Sequence, residues 1–118
     1  MIAPMVEVLM AVAGGLGALA RFEMASRTTH RSRFPIGTML VNTSGALLTG
    51  LAAASGLPPE AHRILVTGFL GGFTTFSTWM IETGRLAEDG PSWKPAAVNL
   101  GGMLGAGLIG ALIGSALA

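Results

Sequence analysis

The residues with the clearest chemical potential lie in the stretch GFLGGFTTFSTW, residues 68–79. Glycine raises the entropic cost of a helix, and threonine hydroxyls compete for its backbone carbonyl groups. Gly71 and Gly72 beside Thr74 and Thr75 therefore predict a local break in a helix. A break at membrane depth frees carbonyl oxygens and is tolerated where it lines a cavity or holds an ion.

Aromatic residues recur every three positions in the same stretch, at Phe73, Phe76 and Trp79. On a continuous helix they would form one slowly drifting aromatic face. The edge of an aromatic ring carries partial positive charge, so such a face can meet an anion without the cost of a full charge. Lipid contact or core packing is the alternative interpretation, and the spacing alone favours it.

A second polar pattern combines Thr38, Asn42, Gly45 and Thr49. Their spacing places them on one stripe of a helix. A buried asparagine in hydrocarbon must find hydrogen-bond partners. Asn42 therefore either bonds a neighbouring helix or serves a transported species, and the stripe leaves both interpretations open.

The elements that must position these residues are predicted to be membrane helices. The chain of 118 residues has 7 basic and 6 acidic side chains, a low share for a soluble domain, where about a quarter of residues are charged. Residues 34–59, 64–81 and 95–118 contain no charge. Each run is long enough to span a bilayer, which takes about 20 residues. A fourth span fits residues 2–22.

The fourth span requires that Glu7 lies near one interface and that Arg21 lies at the other end or faces a wet cavity. The fold class is therefore an all-α integral membrane protein, with residues 1–118 forming one domain of four transmembrane helices. Their expected bounds are residues 5–21, 36–55, 64–81 or beyond, and 96 to the end, with residues 87–95 as the third connection. Pro35 suits the first turn of the second helix. Residues 56–63, GLPPEAHR, are predicted to form a tight turn.

Charge in the connecting segments predicts an orientation. Six of the seven basic residues lie in or beside the first and third connections, and only Arg63 lies in the second. This bias places the first and third connections in the cytoplasm. Net charge is +1, without a basic run dense enough for nucleic acid. Cysteine is absent, and His30 and His62 are expected to be surface residues.

No set of residues predicts an enzyme. Residues 14–21, GGLGALAR, contain a Gly-x-Gly-x-x-Ala pattern, but they lie in a predicted membrane helix with no suitable acid about 20 residues further on, so dinucleotide binding is not expected. Glycine pairs four residues apart instead predict close helix packing. These pairs are Gly68/Gly72, Gly101/Gly105 and Gly110/Gly114. They serve either an oligomer or packing within the chain.

Three ordered segments resemble one known family, the Fluc (CrcB) fluoride channels. The segments are GGLGALARF in the first helix, PIGTMLVNTSGALLTG in the second and GFLGGFTTFSTW in the third. The resemblance implies a small four-helix protein of the bacterial inner membrane that pairs as an antiparallel, dual-topology dimer. Two narrow pores per dimer would let fluoride leave the cytoplasm passively.

The resemblance also implies roles for individual residues. Asn42 would donate its amide to the passing ion, Phe76 would be the first ring of an aromatic box, and Trp79 would hold the position of the second ring. Gly71 and Thr74 would present backbone carbonyls to a structural sodium ion on the dimer axis. The ion pore is expected to include Asn42, Phe76, Trp79, Thr38, Thr75, Ser77 and Asn99, with Arg21 in a structural role.

The sequence departs from the family pattern at three points. Trp79 stands where a phenylalanine is usual, so its larger ring would narrow the path and its N–H would add a donor. The pore face of the last helix carries Asn99 but then only Met103 and Gly107. The basic bias fits poorly with a chain that inserts both ways round, so one subunit of a heterodimer with a paralogue is the alternative to the preferred homodimer.

Two further alternatives belong to other classes. A small multidrug transporter would need a membrane-embedded glutamate in the first helix, and Glu7 is too near the N-terminus for that role. A membrane scaffold without transport would account for the glycines but not for Asn42 or the Thr-Thr-Phe-Ser-Thr run.

Overall fold

The structure is a computed structural model that describes residues 2–28 and 34–118. It contains four long helices, and the described residues include no strand. The helices are α1 (Ile2–Thr28), α2 (Ile36–Ala54), α3 (Pro59–Asp89) and α4 (Lys94–Leu117). Each described helix is long and apolar enough to cross a membrane, which confirms the predicted spans.

Large apolar side chains face outward on these helices. Leu19, Leu104 and Leu112 are 67, 65 and 62% exposed. In water such a surface would be unfavourable, whereas lipid tails solvate it. The protein is therefore a multi-pass membrane protein.

Helix α1 is longer than predicted, because it continues past Arg21 to Thr28. Two local contacts support the extra turns. Arg27 Nε donates to Glu23 Oε1 at 2.7 Å, and Thr28 Oγ1 donates to the Met24 carbonyl at 2.8 Å. Ion pairs four residues apart stabilise a helix, and no glycine or proline interrupts this segment. The expectation for His30 lies outside the described residues.

Helix α2 confirms its predicted bounds to within one residue. Pro35 precedes the first turn, and its carbonyl accepts the Met39 N–H at 3.1 Å. Gly56, with φ of +72°, turns the chain after the helix, a conformation that glycine adopts without strain. The turn is shorter than predicted, because Pro59 already begins α3 and proline is well suited to a first helical turn.

Helix α3 consists of two arms. The first arm is residues 59–73, in which Arg63–Leu70 is wound as a π-helix. The second arm is Ser77–Asp89. Between them Thr74 is extended, with φ −86° and ψ 160°. This confirms the predicted break in the third helix.

Glycine permits the closest helix contacts. A Cβ on Gly17 would collide with the Phe69 carbonyl, and one on Gly72 would collide with Gly14, so α1 and the first arm of α3 pack backbone to backbone. Gly50 meets Ala111, and Gly114 meets Leu47, where α2 packs along α4. Small residues at such crossings are the usual device of membrane helices.

Two of the three predicted glycine pairs therefore pack within the chain. Gly68/Gly72 lie against α1, and Gly110/Gly114 lie against α2. The third pair differs, because a Cβ on Gly101 or Gly105 would meet no atom within 4 Å. Packing inside one chain accounts for the first two pairs and not for the third.

We expect Gly17→Ala to weaken the crossing of α1 and α3, because the added methyl group meets the Phe69 carbonyl and the Phe73 backbone nitrogen. Overpacking of this kind costs about 1–3 kcal/mol. Thermal unfolding of the purified protein in detergent, followed by circular dichroism, measures the loss. Gly15→Ala on the same helix is the control, since a Cβ there meets nothing within 4 Å. Equal midpoints for both variants would contradict the packing role.

Candidate functional site

The site is built around the break in α3, and hydroxyl side chains define both of its edges. Thr74 Oγ1 and Thr74 N both donate to the Leu70 carbonyl, at 2.8 and 3.0 Å, and so finish the first arm. Thr75 Oγ1 accepts the Thr78 N–H at 3.2 Å and so satisfies a free donor at the start of the second arm. The Thr-Thr pair therefore ends one helix and begins the next.

Asn42 of α2 clamps the break from the side. Its Oδ1 accepts the Thr75 N–H, and its Nδ2 donates to the Thr75 carbonyl, both at 2.8 Å. One amide side chain thereby pairs both backbone polar groups of a single residue. Nδ2 also lies 3.3 Å from Met103 Sδ on α4. The interhelical bonding predicted as one interpretation of Asn42 is present, and donation to an ion stays a prediction.

Arg21 holds the other side of the break. Its Nε donates to the Gly72 carbonyl at 3.2 Å, and its side chain is half-buried. It lines a cavity of about 230 Å³ together with Thr38, Thr75 and Thr78. Arg21 therefore faces a cavity, which is one of the two placements expected for it, and its structural role stays a prediction.

Gly71 and Thr74 are among the residues whose carbonyl groups lose their usual helical donors at the break. In a continuous helix the Gly71 carbonyl would accept from Thr75 N, and the Thr74 carbonyl would accept from Thr78 N. Those two N–H groups instead donate to Asn42 Oδ1 and Thr75 Oγ1. Carbonyl oxygens released in this way are ligands suited to a hard cation. Gly71 and Thr74 thus fit the predicted sodium ligands in chemistry.

The aromatic residues do not form one face. Phe73 is 8% exposed and packs in the core with Val41 and Leu70. Phe76 is 69% exposed and meets Trp79 edge to face, with ring centroids 5.7 Å apart. The prediction of a continuous face is wrong because the extended Thr74 interrupts the helix after Phe73.

Trp79 also differs from expectation. Its Nε1 donates to the Asn99 carbonyl of α4 at 3.2 Å, so the indole N–H is already paired and is not a spare donor. Asn99 is fully buried, and its Nδ2 donates to Thr83 Oγ1 at 2.8 Å. Thr83 completes the network by donating to the Trp79 carbonyl at 2.8 Å. The network fixes the second arm of α3 against α4.

A groove of about 380 Å³ collects part of the predicted pore set. It is lined by Asn42, Ala46, Thr49, Thr74, Thr75, Phe76, Trp79 and Ala111. Three predicted residues lie elsewhere. Thr38 lines the cavity beside Arg21, Ser77 is exposed with its hydroxyl 3.5 Å from Thr75 Oγ1, and Asn99 is buried beside Thr83.

Sequence reasoning missed two partners at the site. Thr83 lies four residues after Trp79 and so shares its helical face, a spacing that could have indicated the contact. Met103 interrupts the polar face of the last helix, and no sequence pattern indicates that its sulfur contacts Asn42. Contacts of this kind depend on how α2 and α4 align.

These features define a four-span membrane protein whose third helix is broken beside a polar and aromatic groove. The chain belongs to the family of CrcB-like proteins, Camphor Resistance (CrcB), whose sequence model matches residues 8–115. This confirms the family resemblance that the three motifs carry.

Individual relatives agree with this assignment. The chain is 47% identical over 92 residues to "Fluoride-specific ion channel FluC 1" of Leifsonia xyli subsp. xyli, covering 73% of this chain and 67% of that protein. It is 44% identical over 115 residues to "Fluoride-specific ion channel FluC 2" of Symbiobacterium thermophilum, covering 92% and 93%. It is 42% identical over 107 residues to the protein of the same name in Mycobacterium tuberculosis, covering 89% and 84%.

We expect Asn42→Ala to destabilise the break, because the Thr75 N–H and carbonyl lose their partners inside the membrane. The cost is about 1–3 kcal/mol, since hydrogen bonds in membrane proteins are individually modest but unpaired buried groups are costly. Thermal unfolding measures the cost, and faster hydrogen exchange at the Thr75 amide locates it.

Ser44→Ala is the matched control, because the Ser44 hydroxyl bonds only the Val41 carbonyl of its own helix among the described contacts. It should leave both measurements unchanged. A Thr75 amide that exchanges at the wild-type rate in Asn42→Ala would show that the clamp is not needed.

Proposed function

We propose that the protein is a fluoride-selective ion channel that lets fluoride leave the cytoplasm passively and so protects the cell from its toxicity. The observation that carries the proposal is the groove, which brings Asn42, Phe76 and Trp79 together at the break of α3. Membership of a family whose relatives are named fluoride-specific ion channels supports the choice of ion.

The chemistry of the groove suits a small, strongly hydrated anion. An amide N–H and threonine hydroxyls can replace hydrating water, and an aromatic ring edge adds partial positive charge. The residues that line the groove include no lysine or arginine. A full positive charge in the narrow part would hold the anion too tightly, and conduction requires release as well as binding.

The groove lies on the outside of the chain, so a single copy does not enclose a path. Phe76, 69% exposed beside it, would otherwise face lipid. A second copy in antiparallel orientation would cover both grooves at once and give two pores related by a two-fold axis. The homodimer is the preferred assembly. A heterodimer with a paralogue is the alternative, because the basic residues favour one orientation of this chain.

A sodium ion on the dimer axis would complete the assembly as a structural cofactor. The Gly71 and Thr74 carbonyls would hold it, since their helical donors are paired elsewhere. When bound, sodium would neutralise the partial negative charge that converging carbonyl oxygens create. The site then links the break of α3 to dimer formation. The proposed location is the bacterial inner membrane.

We expect the purified chain, reconstituted alone in liposomes loaded with potassium fluoride, to release fluoride rapidly when valinomycin supplies a potassium path. A fluoride electrode follows the release, and liposomes loaded with potassium chloride are the control. Selective release would establish a homomeric channel that conducts with Trp79 in place. No release from well-folded protein would contradict the homodimer and favour the heterodimer, which co-reconstitution with a sister chain tests.

We expect Phe76→Ile to lower fluoride release by about tenfold or more, because the aliphatic side chain fills similar space but lacks the positive ring edge. Phe69→Ile is the control, since Phe69 stacks on Phe73 on the other side of the break, with ring centroids 6.0 Å apart. Gel filtration checks that both variants remain folded. Equal release by the Phe76 variant and the control would show that the ring does not face the ion path.

A further inference from the structure

The hydrogen bonds of Asn42 leave it one donor for a passing ion. Its Oδ1 and one N–H of its Nδ2 are committed to the backbone of Thr75. An amide side chain has two N–H donors, so the remaining one is the hydrogen aimed at Met103 Sδ, 3.3 Å from Nδ2. An anion can use this hydrogen without opening the break in α3.

The Met103 sulfur lies close enough to accept this N–H, but it is too weak an acceptor to compete with an anion for it. Its side chain is 3% exposed, so the thioether is held at the amide and is not a passing surface contact. A thioether sulfur is a weak acceptor, whereas a small anion is a strong one. Methionine also has three rotatable side-chain bonds and adapts to irregular space more readily than other apolar residues.

Met103 lies on α4 between Asn99, which contacts Trp79 and Thr83, and Ala111, which lines the groove. It lies one helical turn after Asn99, which is paired with Trp79 and Thr83. It lies about two turns before Ala111, which lines the groove. A path that runs beside Asn42 toward the Asn99 network therefore passes the Met103 side chain.

We propose that Met103 is a displaceable cap on Asn42, a positioning residue that orients the donor amide between ions and yields it to each arriving anion. The inference rests on the proposed function, because it assumes that an anion reaches the groove. A stronger acceptor at position 103 would compete with the anion for the N–H. An apolar side chain of the same volume would leave the N–H free.

Asparagine labelling provides a direct test. The chain contains two asparagines, Asn42 and Asn99. Protein labelled with nitrogen-15 asparagine therefore shows two pairs of side-chain amide signals, one from each residue. Sodium fluoride is titrated into the protein in detergent micelles, with sodium chloride as the reference salt. We expect fluoride, and not chloride, to shift the Asn42 side-chain signals.

Two variants set the direction of the effect. Met103→Gln, with a strong carbonyl acceptor on a side chain of similar length, should raise the fluoride concentration at the midpoint by about tenfold and lower release from liposomes similarly. Met103→Leu conserves volume without an acceptor, so its midpoint should fall several-fold while release stays at or above the wild-type rate. Met39→Leu, at a methionine whose methyl group faces Gly102 of α4, is the matched control and should change neither.

The outcomes of this test distinguish a failure of the Met103 inference from a failure of the proposed channel function. If Met103 only fills space, both variants shift the midpoint in the same direction or neither does, and the inference is overturned. If the wild type conducts but fluoride leaves the Asn42 signals unchanged, the inference also fails and the channel function stands. If the wild type conducts neither alone nor with a sister chain, the channel function fails, and the titration still decides whether Met103 competes with the anion. Should Met103→Gln not fold, the expected drop in the Met103→Leu midpoint carries the test.

Discussion

Hydrocarbon offers no water to an unpaired backbone group, and this constraint governs the whole molecule. A helix that breaks inside the membrane must find partners for the N–H and carbonyl groups that it releases. Here Asn42 pairs both groups of Thr75, and Arg21 pairs the Gly72 carbonyl. The side chains that look functional in the sequence are therefore first of all the ones that make the break possible.

Because the break needs partners, α1 and α2 contact it directly, and α4 contacts the side chains beside it. α1 supplies Arg21, α2 supplies Asn42, and α4 supplies Met103 and the Asn99 carbonyl. These side chains reach their partners only if the helix backbones approach closely. Glycine allows this approach at the crossings of α1 with α3 and of α2 with α4. The glycines therefore act on the site indirectly, because they set the distances over which these polar side chains work.

Local chemistry was the part of the structure that the sequence could predict. The break follows from glycines beside threonines, and the spans follow from runs with little or no charge that are about as long as a bilayer requires. What could not be predicted is how one helix aligns with another. The prediction of one aromatic face was wrong because Phe73 belongs to the first arm of α3 and Phe76 lies beyond the extended Thr74. The contact of Asn42 with Met103 joins residues 61 positions apart and depends on the packing of α2 against α4.

The break also separates donors from acceptors, which a continuous helix cannot do. Side-chain oxygens of Asn42 and Thr75 take the N–H groups of Thr75 and Thr78, so the Gly71 and Thr74 carbonyls are left without their usual donors. On the other side, the Asn42 amide keeps one N–H on a weak sulfur acceptor. The same few hydrogen bonds thus leave carbonyl acceptors without their usual donors and one amide donor on a weak acceptor. The proposed sodium site and the proposed fluoride path would both be built from neutral groups, so that neither ion would meet a full opposite charge from which release would be slow.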